Sequence, residues 1–139
     1  MPRPNVSKVV VDSSAVLAYL QRESGWEDIE PYLAGETVIS AVNLAEILSK
    51  LHEQEVPADA IRQLLAHLAL NVVAFDDALA YRVSELRVPT RSLGLSLGDR
   101  ACLGLAQQLG LPVITVDQIW SQVALPIEIK MLRPHSAGP

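Results

Sequence analysis

Four acidic residues stand at positions where the carboxylates of a shared site are expected. Asp12 and Asp117 each follow a run of β-branched residues that predicts a strand, and Glu46 and Asp99 each lie near the start of a segment with helical periodicity. Ligands of an open parallel sheet bind outside the carboxyl ends of its strands, where the helices begin. We therefore expect these four carboxylates, distant in sequence, to meet at one edge of one sheet.

A site made only of oxygen ligands has a definite chemistry. Carboxylates that stand close together repel one another, so they either take up protons or bind cations. Hard divalent ions such as Mg²⁺ and Mn²⁺ prefer such ligands, and a pair of them can activate water and stabilise the leaving oxygen of a phosphodiester. Ser14, Asn43 and Thr115 are polar neighbours that would support the acids. The sequence thus predicts metal-dependent phosphodiester hydrolysis, with Mg²⁺ as cofactor and Mn²⁺ as its substitute.

Each acid taken alone also has a simpler explanation. Asp12 and Asp117 are residues that commonly begin helices and turns, and Glu46 has a lysine four positions later with which it would form an ordinary surface ion pair. Ser96 and Asp99 match the spacing of a capping box. Only the joint placement of the four acids favours a metal site.

Short β-branched runs alternate with longer helical segments along the chain, which is typical of a parallel sheet covered by helices. The predicted strands are 6–11, 37–39, 72–75, 113–116 and a short fifth at 127–129; the predicted helices are 13–22, 26–34, 41–53, one that starts near Pro57, 76–86 and 97–109. The segment 88–95 contains Pro89 and Gly94 and is predicted to be a loop. The expected fold is a three-layer α/β/α sandwich with a central parallel sheet of four to five strands.

Length and composition limit the alternatives. The chain has 139 residues, half of them hydrophobic, which suits a single domain 1–139 with a core at about 6–132 and flexible ends at 1–5 and 133–139. A single cysteine excludes an intrachain disulfide and a thiolate zinc site. The net charge of -5 argues against a broad basic surface for nucleic acid. No segment has the pattern of a signal peptide or a membrane span, so we expect a cytoplasmic protein without a membrane partner.

Four of the eleven basic residues fall between positions 82 and 100, in the stretch that leads to Asp99. Arg91 and Arg100 are closest to that acid and are predicted to contact substrate phosphates. Arg82 and Arg87 are expected on a solvated helix face.

Three further residues are expected to be structural. Trp26 and Trp120 have no basic or aromatic company that would suggest base stacking, so we expect them to pack in the protein. Cys102 lies on a stripe of small apolar residues and is expected to be a buried hydrophobic side chain.

A phospho-accepting receiver module is the alternative from another class. Such a module has the same layers and needs an acid pair after the first strand, an Asp after the third and a Lys after the last. Asp76 and Asp77 follow the predicted third strand, but Asp12 stands alone after the first and no Lys follows the fourth. This alternative is therefore less favoured.

Four segments of the sequence, in order, resemble the motifs of the PIN-domain family. They are VVVDSSAVLAYL at 9–20, ISAVNLAE at 39–46, LSLGDRACLGLA at 95–106 and LPVITVDQIW at 111–120. The resemblance spans nearly the whole chain and is closest to the VapC-like toxins of type II toxin–antitoxin systems. By this resemblance Asp12, Glu46, Asp99 and Asp117 would be the acids of the Mg²⁺ or Mn²⁺ site.

The resemblance also implies a function. VapC-like members are endoribonucleases that cut structured RNA such as tRNA or rRNA and so inhibit translation, which would make Arg91 and Arg100 contacts to RNA phosphate. They usually form homodimers and are neutralised, in toxin–antitoxin hetero-oligomers, by a VapB-like antitoxin. A basic C-terminal segment of that antitoxin would complement the acidic site. The remaining alternative within the family is a catalytically inactive PIN-like module that binds a partner.

Overall fold

A computed structural model describes residues 8–132, and within them the chain forms five strands and seven α-helices. The elements in chain order are β1 Val9–Val11, α1 Ser13–Leu20, α2 Trp26–Leu33, β2 Thr37–Ser40, α3 Ala41–Glu53, α4 Ala58–Leu68, β3 Asn71–Val73, α5 Asp77–Glu85, α6 Arg87–Thr90, α7 Leu97–Leu109, β4 Val113–Thr115 and β5 Ile129–Met131. Two 3-10 helices lie at Arg91–Leu93 and Gln118–Gln122. None of the described helices is long and apolar enough to cross a membrane.

The strands form one parallel sheet in the order β3-β2-β1-β4-β5. β1 is the central strand: Val10 lies opposite Val38 of β2 on one side and opposite Val113 of β4 on the other. All three residues of β1 are fully buried, as expected for a strand covered on both faces. The predicted α/β class with a central parallel sheet is confirmed.

Helices cover both faces of the sheet because successive strand residues point to opposite sides. Val9 and Val11 pack on one face with apolar residues of α1, α2, α3 and α4. Val10 packs on the other face with residues of α5 and α7. The two apolar layers hold the strand ends in place, so the residues that follow β1, β2 and β4 are brought to one edge of the sheet.

The segment predicted to be a loop at 88–95 is largely helical, so that prediction is wrong. It forms the end of α6 and the 3-10 helix that follows. Pro89 lies in the first turn of α6, where backbone N–H groups have no partner within the helix, so proline is tolerated there. The buried Thr90 hydroxyl donates to the Leu86 carbonyl (2.7 Å), and Gly94 ends the segment with a φ of 66°.

Two predicted strands are displaced. The fifth strand lies at Ile129–Met131 rather than 127–129, because pairing with β4 begins at Ile129 opposite Val113. The third lies at Asn71–Val73 rather than 72–75, because its ladder with β2 ends at Val73 opposite Ser40. The predicted flexible ends, 1–5 and 133–139, and the first two residues of the predicted first strand lie outside the described residues.

Trp26 packs against other residues as predicted, but the premise of that prediction is wrong, because Trp26 does have an aromatic and a basic neighbour. Its ring lies edge-on to Tyr19 with centroids 5.9 Å apart, and the Arg22 guanidinium stacks 4.2 Å from its centroid. Trp120 is 1% exposed and Cys102 is fully buried, both as predicted.

Candidate active site

Asp12 lies at the centre of the sheet edge, directly after β1, and is 2% exposed. It is the N-cap residue of α1, although its side chain does not cap that helix. Its Oδ2 instead accepts hydrogen bonds from the hydroxyls of Ser14 and of Thr115, the latter at 2.9 Å. The carboxylate is thus held between the start of α1 and the end of β4.

Thr115 links Asp12 to the fourth acid. Its hydroxyl accepts from the backbone N–H of Asp117 at 3.1 Å while donating to Asp12. The Asp117 Oδ1 accepts from the backbone N–H of Ile119 (3.2 Å) and so caps the 3-10 helix that follows. The turn predicted as the simpler explanation of Asp117 is therefore present.

Glu46 projects from α3 toward the starts of α1 and α7. Its Oε1 accepts from the Ser13 hydroxyl and from Asn43 Nδ2, both at 3.0 Å. Asn43 is fully buried, and its Nδ2 also donates to the backbone carbonyl of Gly98 (2.9 Å). Residues of three helices therefore determine where this carboxylate lies.

Asp99 stands in the first turn of α7 and completes a capping box. Its Oδ2 accepts from the backbone N–H of Ser96 (2.8 Å), and its own N–H donates to the Ser96 hydroxyl (3.2 Å). The capping explanation drawn from the spacing of these residues is therefore present in the structure. At this helix start Asp99 lies close enough to Asp12 for its charge to raise the pKa of Asp12.

The electrostatics of the site centre on Asp12. Burial raises the pKa of Asp12 from its usual 3.8 to about 6. The hydrogen bonds from Ser14 and Thr115 lower this pKa, whereas the charges of Asp99 and Glu46 raise it. Burial also holds the pKa of the Cys102 thiol well above its usual range, with the charges of the same three acids adding to the effect.

The donor chemistry of the site fits a hard divalent cation. Asp12, Glu46 and Asp99 offer only carboxylate oxygens, and Asp12 is a buried carboxylate disfavoured by its two acidic neighbours. Within residues 8–132, no three Asp, Glu, His or Cys side chains are arranged as a ready-made metal site. Each of these acids accepts its hydrogen bonds from the protein through one carboxylate oxygen, which is Oδ2 in Asp12, Oε1 in Glu46 and Oδ2 in Asp99.

The two arginines predicted to contact phosphate are in different environments. Arg100 lies on α7, and its Nη1 donates to the carbonyl of Val83 on α5 (3.3 Å). Its Nε is buried and has no hydrogen-bond partner among the described residues. Arg91 is exposed in the 3-10 helix after α6. The structure thus uses part of the Arg100 side chain to join two helices and leaves Arg91 at the surface.

Gly98 is the site residue that the sequence reasoning missed. A Cβ atom at this position would overlap the Glu46 carboxylate and would lie 2.6 Å from its Oε1. The available signal was a glycine inside the first turn of a helix, where it lowers helix propensity without a turn to justify it. The Ser13 hydroxyl also donates to Glu46, a contact between residues 33 positions apart that spacing does not reveal.

The receiver alternative does not fit the sheet. Receiver-type sheets have the strand order 2-1-3-4-5, whereas here β1 lies between β2 and β4. Asp76 follows β3 at the edge of the sheet, two strands away from β1, and its Oδ1 accepts from the Leu79 N–H (2.9 Å) as the cap of α5. Asp12 and Asp76, which a receiver module would need in one site, therefore follow strands that are not neighbours in the sheet.

Comparisons with known proteins agree with this architecture. The PIN domain family model matches residues 9–125. A chain of the VapBC2 complex from Rickettsia felis, solved with a DNA fragment from the promoter, is similar in structure with a TM-score of 0.70 at 14% identity, covering 90% of this chain and 98% of that one. A chain of DNA-bound VapBC from Salmonella typhimurium gives 0.71 at 17% identity, covering 91% and 99%.

A third similar structure is Mycobacterium tuberculosis VapC20, a toxin that cleaves the sarcin-ricin loop, with a TM-score of 0.68, 16% identity and coverage of 86% and 96%. No curated protein sequence matches the chain. At these identities the structural likeness establishes the fold, and the family model adds the match in sequence. The chain belongs to the PIN-domain family.

Proposed function

We propose that this chain is the toxin of a type II toxin–antitoxin system and acts as a Mg²⁺-dependent endoribonuclease, with Mn²⁺ able to replace Mg²⁺. Its substrates would be the phosphodiester bonds of tRNA or rRNA, and cleavage would inhibit translation. The observation that carries the proposal is the buried Asp12 carboxylate, whose pKa is raised further by the charges of Asp99 and Glu46. PIN domains are generally nucleases, and the VapC20 toxin of similar fold cleaves the sarcin-ricin loop.

In this proposal Asp12, Glu46 and Asp99 hold the cation, and Asp117 holds a second one or its water. A divalent cation in such a site supplies an activated water nucleophile and stabilises the charge on the leaving oxygen. The chain's own contribution is orientation. Ser14 and Thr115 both donate to the same oxygen of Asp12, which fixes the plane of that carboxylate.

Substrate binding would rest on a few arginine side chains rather than on a broad basic surface. Arg91 and Arg100 are the proposed contacts to RNA phosphate, and exposed Arg91 is the better placed of the two. The chain carries 16 acids and 11 Lys or Arg, so the four site acids account for most of the negative excess. Divalent cations bound by these acids would reduce the repulsion between the carboxylates and the RNA phosphate.

The proposed partner is a VapB-like antitoxin whose basic C-terminal segment complements the acidic edge of the sheet. The proposal is supported by the similar structures, several of which are chains of VapBC or FitAB complexes. We further propose a homodimer, a hetero-oligomer with the antitoxin, and action in the cytoplasm, where the RNA substrates of translation are found. A small gene for a DNA-binding protein immediately upstream would support this assignment.

A catalytically inactive partner-binding module is the second candidate. It is favoured by the fact that every site carboxylate already accepts hydrogen bonds from the protein, including the capping bond from Ser96 to Asp99. Such bonds would hold the fold together without any metal. The two candidates differ in whether the acids are needed for a biological effect or only for structure.

Expression of the chain without its antitoxin distinguishes them. A toxin arrests growth, and Asp12→Asn or Asp99→Asn relieves the arrest at equal protein level. Asp77→Asn is the matched control, because Asp77 is an exposed acid at the start of α5, away from the site. It should arrest growth like the wild type. A wild-type chain that is well expressed and harmless, or an Asp12→Asn chain that remains toxic, contradicts the proposed function.

A further inference from the structure

Gly98 lies in the first turn of α7, directly before Asp99, and faces the carboxylate of Glu46 on α3. A Cβ atom on Gly98 would lie 2.5 Å from the Glu46 Cδ and 2.6 Å from its Oε1. Real Cβ atoms essentially never make contacts under 3.0 Å, so a side chain at position 98 would force the carboxylate at the end of the flexible Glu46 side chain to move. The carboxylate therefore occupies the space that any side chain at position 98 would need.

The backbone conformation does not explain this glycine. Gly25, Gly94 and Gly110 have positive φ values and so use the freedom that glycine provides, whereas Gly98 is an ordinary helical residue. Glycine within a helix costs about 1 kcal/mol relative to alanine. The glycine is instead what allows the Glu46 carboxylate to occupy its present position.

The backbone of Gly98 also binds Asn43, the residue whose amide donates a hydrogen bond to Glu46. Its carbonyl accepts from Asn43 Nδ2 at 2.9 Å, and the same nitrogen donates to Glu46 Oε1 at 3.0 Å. Both protons of this amide nitrogen are thus used, and Asn43 is fully buried, so water does not compete for them. Its Oδ1 has no partner among the described residues.

We propose that Gly98 is a positioning residue of the metal site. It leaves its side-chain volume to the Glu46 carboxylate and anchors the Asn43 amide that orients it. Because Asp99 is the next residue, the contact sets the position of the acid on α3 relative to the acid on α7. The inference rests on the proposed function, in which these two acids share a cation with Asp12.

A thermal double-mutant cycle without metal tests the steric part. In EDTA, the effect of Gly98→Ala on the melting temperature should be more favourable in a Glu46→Ala background, where the space is empty, than in the wild type, where the Glu46 carboxylate must move aside. A Gly98→Ala chain that fails to fold while the double variant folds gives the same support. An equal effect of Gly98→Ala in both backgrounds overturns the proposal.

Gly104→Ala is the matched control in the same helix. A Cβ there would meet Val83 on α5, with Cγ2 at 2.8 Å, and not the acids. Its effect on the melting temperature should be the same whether or not Glu46 is present. Dependence of the Gly104→Ala effect on Glu46 would mean that the cycle reports general loosening of α7, which overturns the specific role of Gly98.

Mn²⁺ titration followed by electron paramagnetic resonance tests the role at the metal. Gly98→Ala should weaken Mn²⁺ binding by about tenfold or more, and Gly104→Ala should leave it unchanged. Adding Gly98→Ala to Glu46→Asp, whose shorter side chain retreats from the contact, should cause no further loss. Wild-type affinity in Gly98→Ala overturns the proposal. A wild-type chain that binds no Mn²⁺ refutes the proposed function instead, and the thermal cycle then decides on Gly98 alone.

Discussion

Replacing Asp12 by Asn should stabilise the protein at neutral pH in the absence of metal, although Asp12 is central to the candidate site. Asp12 is 2% exposed, and its pKa is about 6 in the folded protein against a usual value of 3.8. The folded state therefore binds this proton more tightly than the unfolded state. The contribution of Asp12 to stability is greatest below about pH 4 and is lost as the pH rises through about 6, because the charged form is disfavoured by burial.

The magnitude follows from the two pKa values. Each unit of pKa difference corresponds to about 1.4 kcal/mol, so the charged Asp12 costs about 3 kcal/mol of unfolding free energy above pH 6. Asparagine avoids this cost, and its carbonyl oxygen can accept the bonds from Ser14 and Thr115. Its buried N–H groups lose about 1 kcal/mol of this gain, which leaves a net stabilisation of about 2 kcal/mol at pH 7.5.

Urea unfolding in EDTA, followed by the fluorescence of Trp26 and the buried Trp120, measures this difference. Asp12→Asn should match or fall below the wild type at pH 4 and exceed it at pH 7.5. Asp77→Asn, at an exposed position, should differ from the wild type by less than about 0.5 kcal/mol at both pH values. A difference between Asp12→Asn and the wild type that does not change with pH would refute the electrostatic account of Asp12.

Three further outcomes are expected. Mn²⁺ at a hundredfold excess over its dissociation constant should raise the unfolding free energy by about 2.7 kcal/mol, as measured by thermal unfolding. EDTA should reverse this stabilisation, and Mn²⁺ should not stabilise Asp12→Asn. Thr115→Val removes the hydroxyl that binds both Asp12 and the Asp117 N–H, so calorimetry should show a loss of about 1–3 kcal/mol together with weaker Mn²⁺ binding. Ile114→Ala, at a fully buried position of β4, should cost about 2–5 kcal/mol in urea unfolding, and a loss under 1 kcal/mol would contradict the described core.

The sheet and its edge were predictable because they depend on local pattern. Val9-Val10-Val11 is continuously apolar, which is typical of a strand buried on both faces, and the acid after it must then lie at the carboxyl end. The same reasoning brings Asp117 to the end of β4. No such rule predicts the order of the strands, since that depends on which helices pack on which face.

The features that the sequence did not reveal depend on tertiary contacts. Pro89 suggested a loop, yet proline is compatible with the first turn of a helix, and α6 is favoured by the burial of Thr90 in the tertiary structure. The role of Gly98 depends on a contact with Glu46, fifty-two positions earlier in the chain. Spacing alone likewise could not decide whether Asp99 is a helix cap or a metal ligand. In the structure Asp99 caps α7, and its charge also raises the pKa of Asp12.

The most direct test of the central claim is RNA cleavage by the purified chain under controlled metal conditions. Total tRNA and rRNA are incubated with the wild type, Asp12→Asn, Asp99→Asn and Asp77→Asn, in EDTA, Mg²⁺ or Mn²⁺, and the product ends are mapped. We predict discrete internal cuts by the wild type and Asp77→Asn only when Mg²⁺ or Mn²⁺ is present, and none by the two site variants. Cleavage that persists in EDTA or in Asp12→Asn, or no cleavage by the wild type with either ion, would contradict the account.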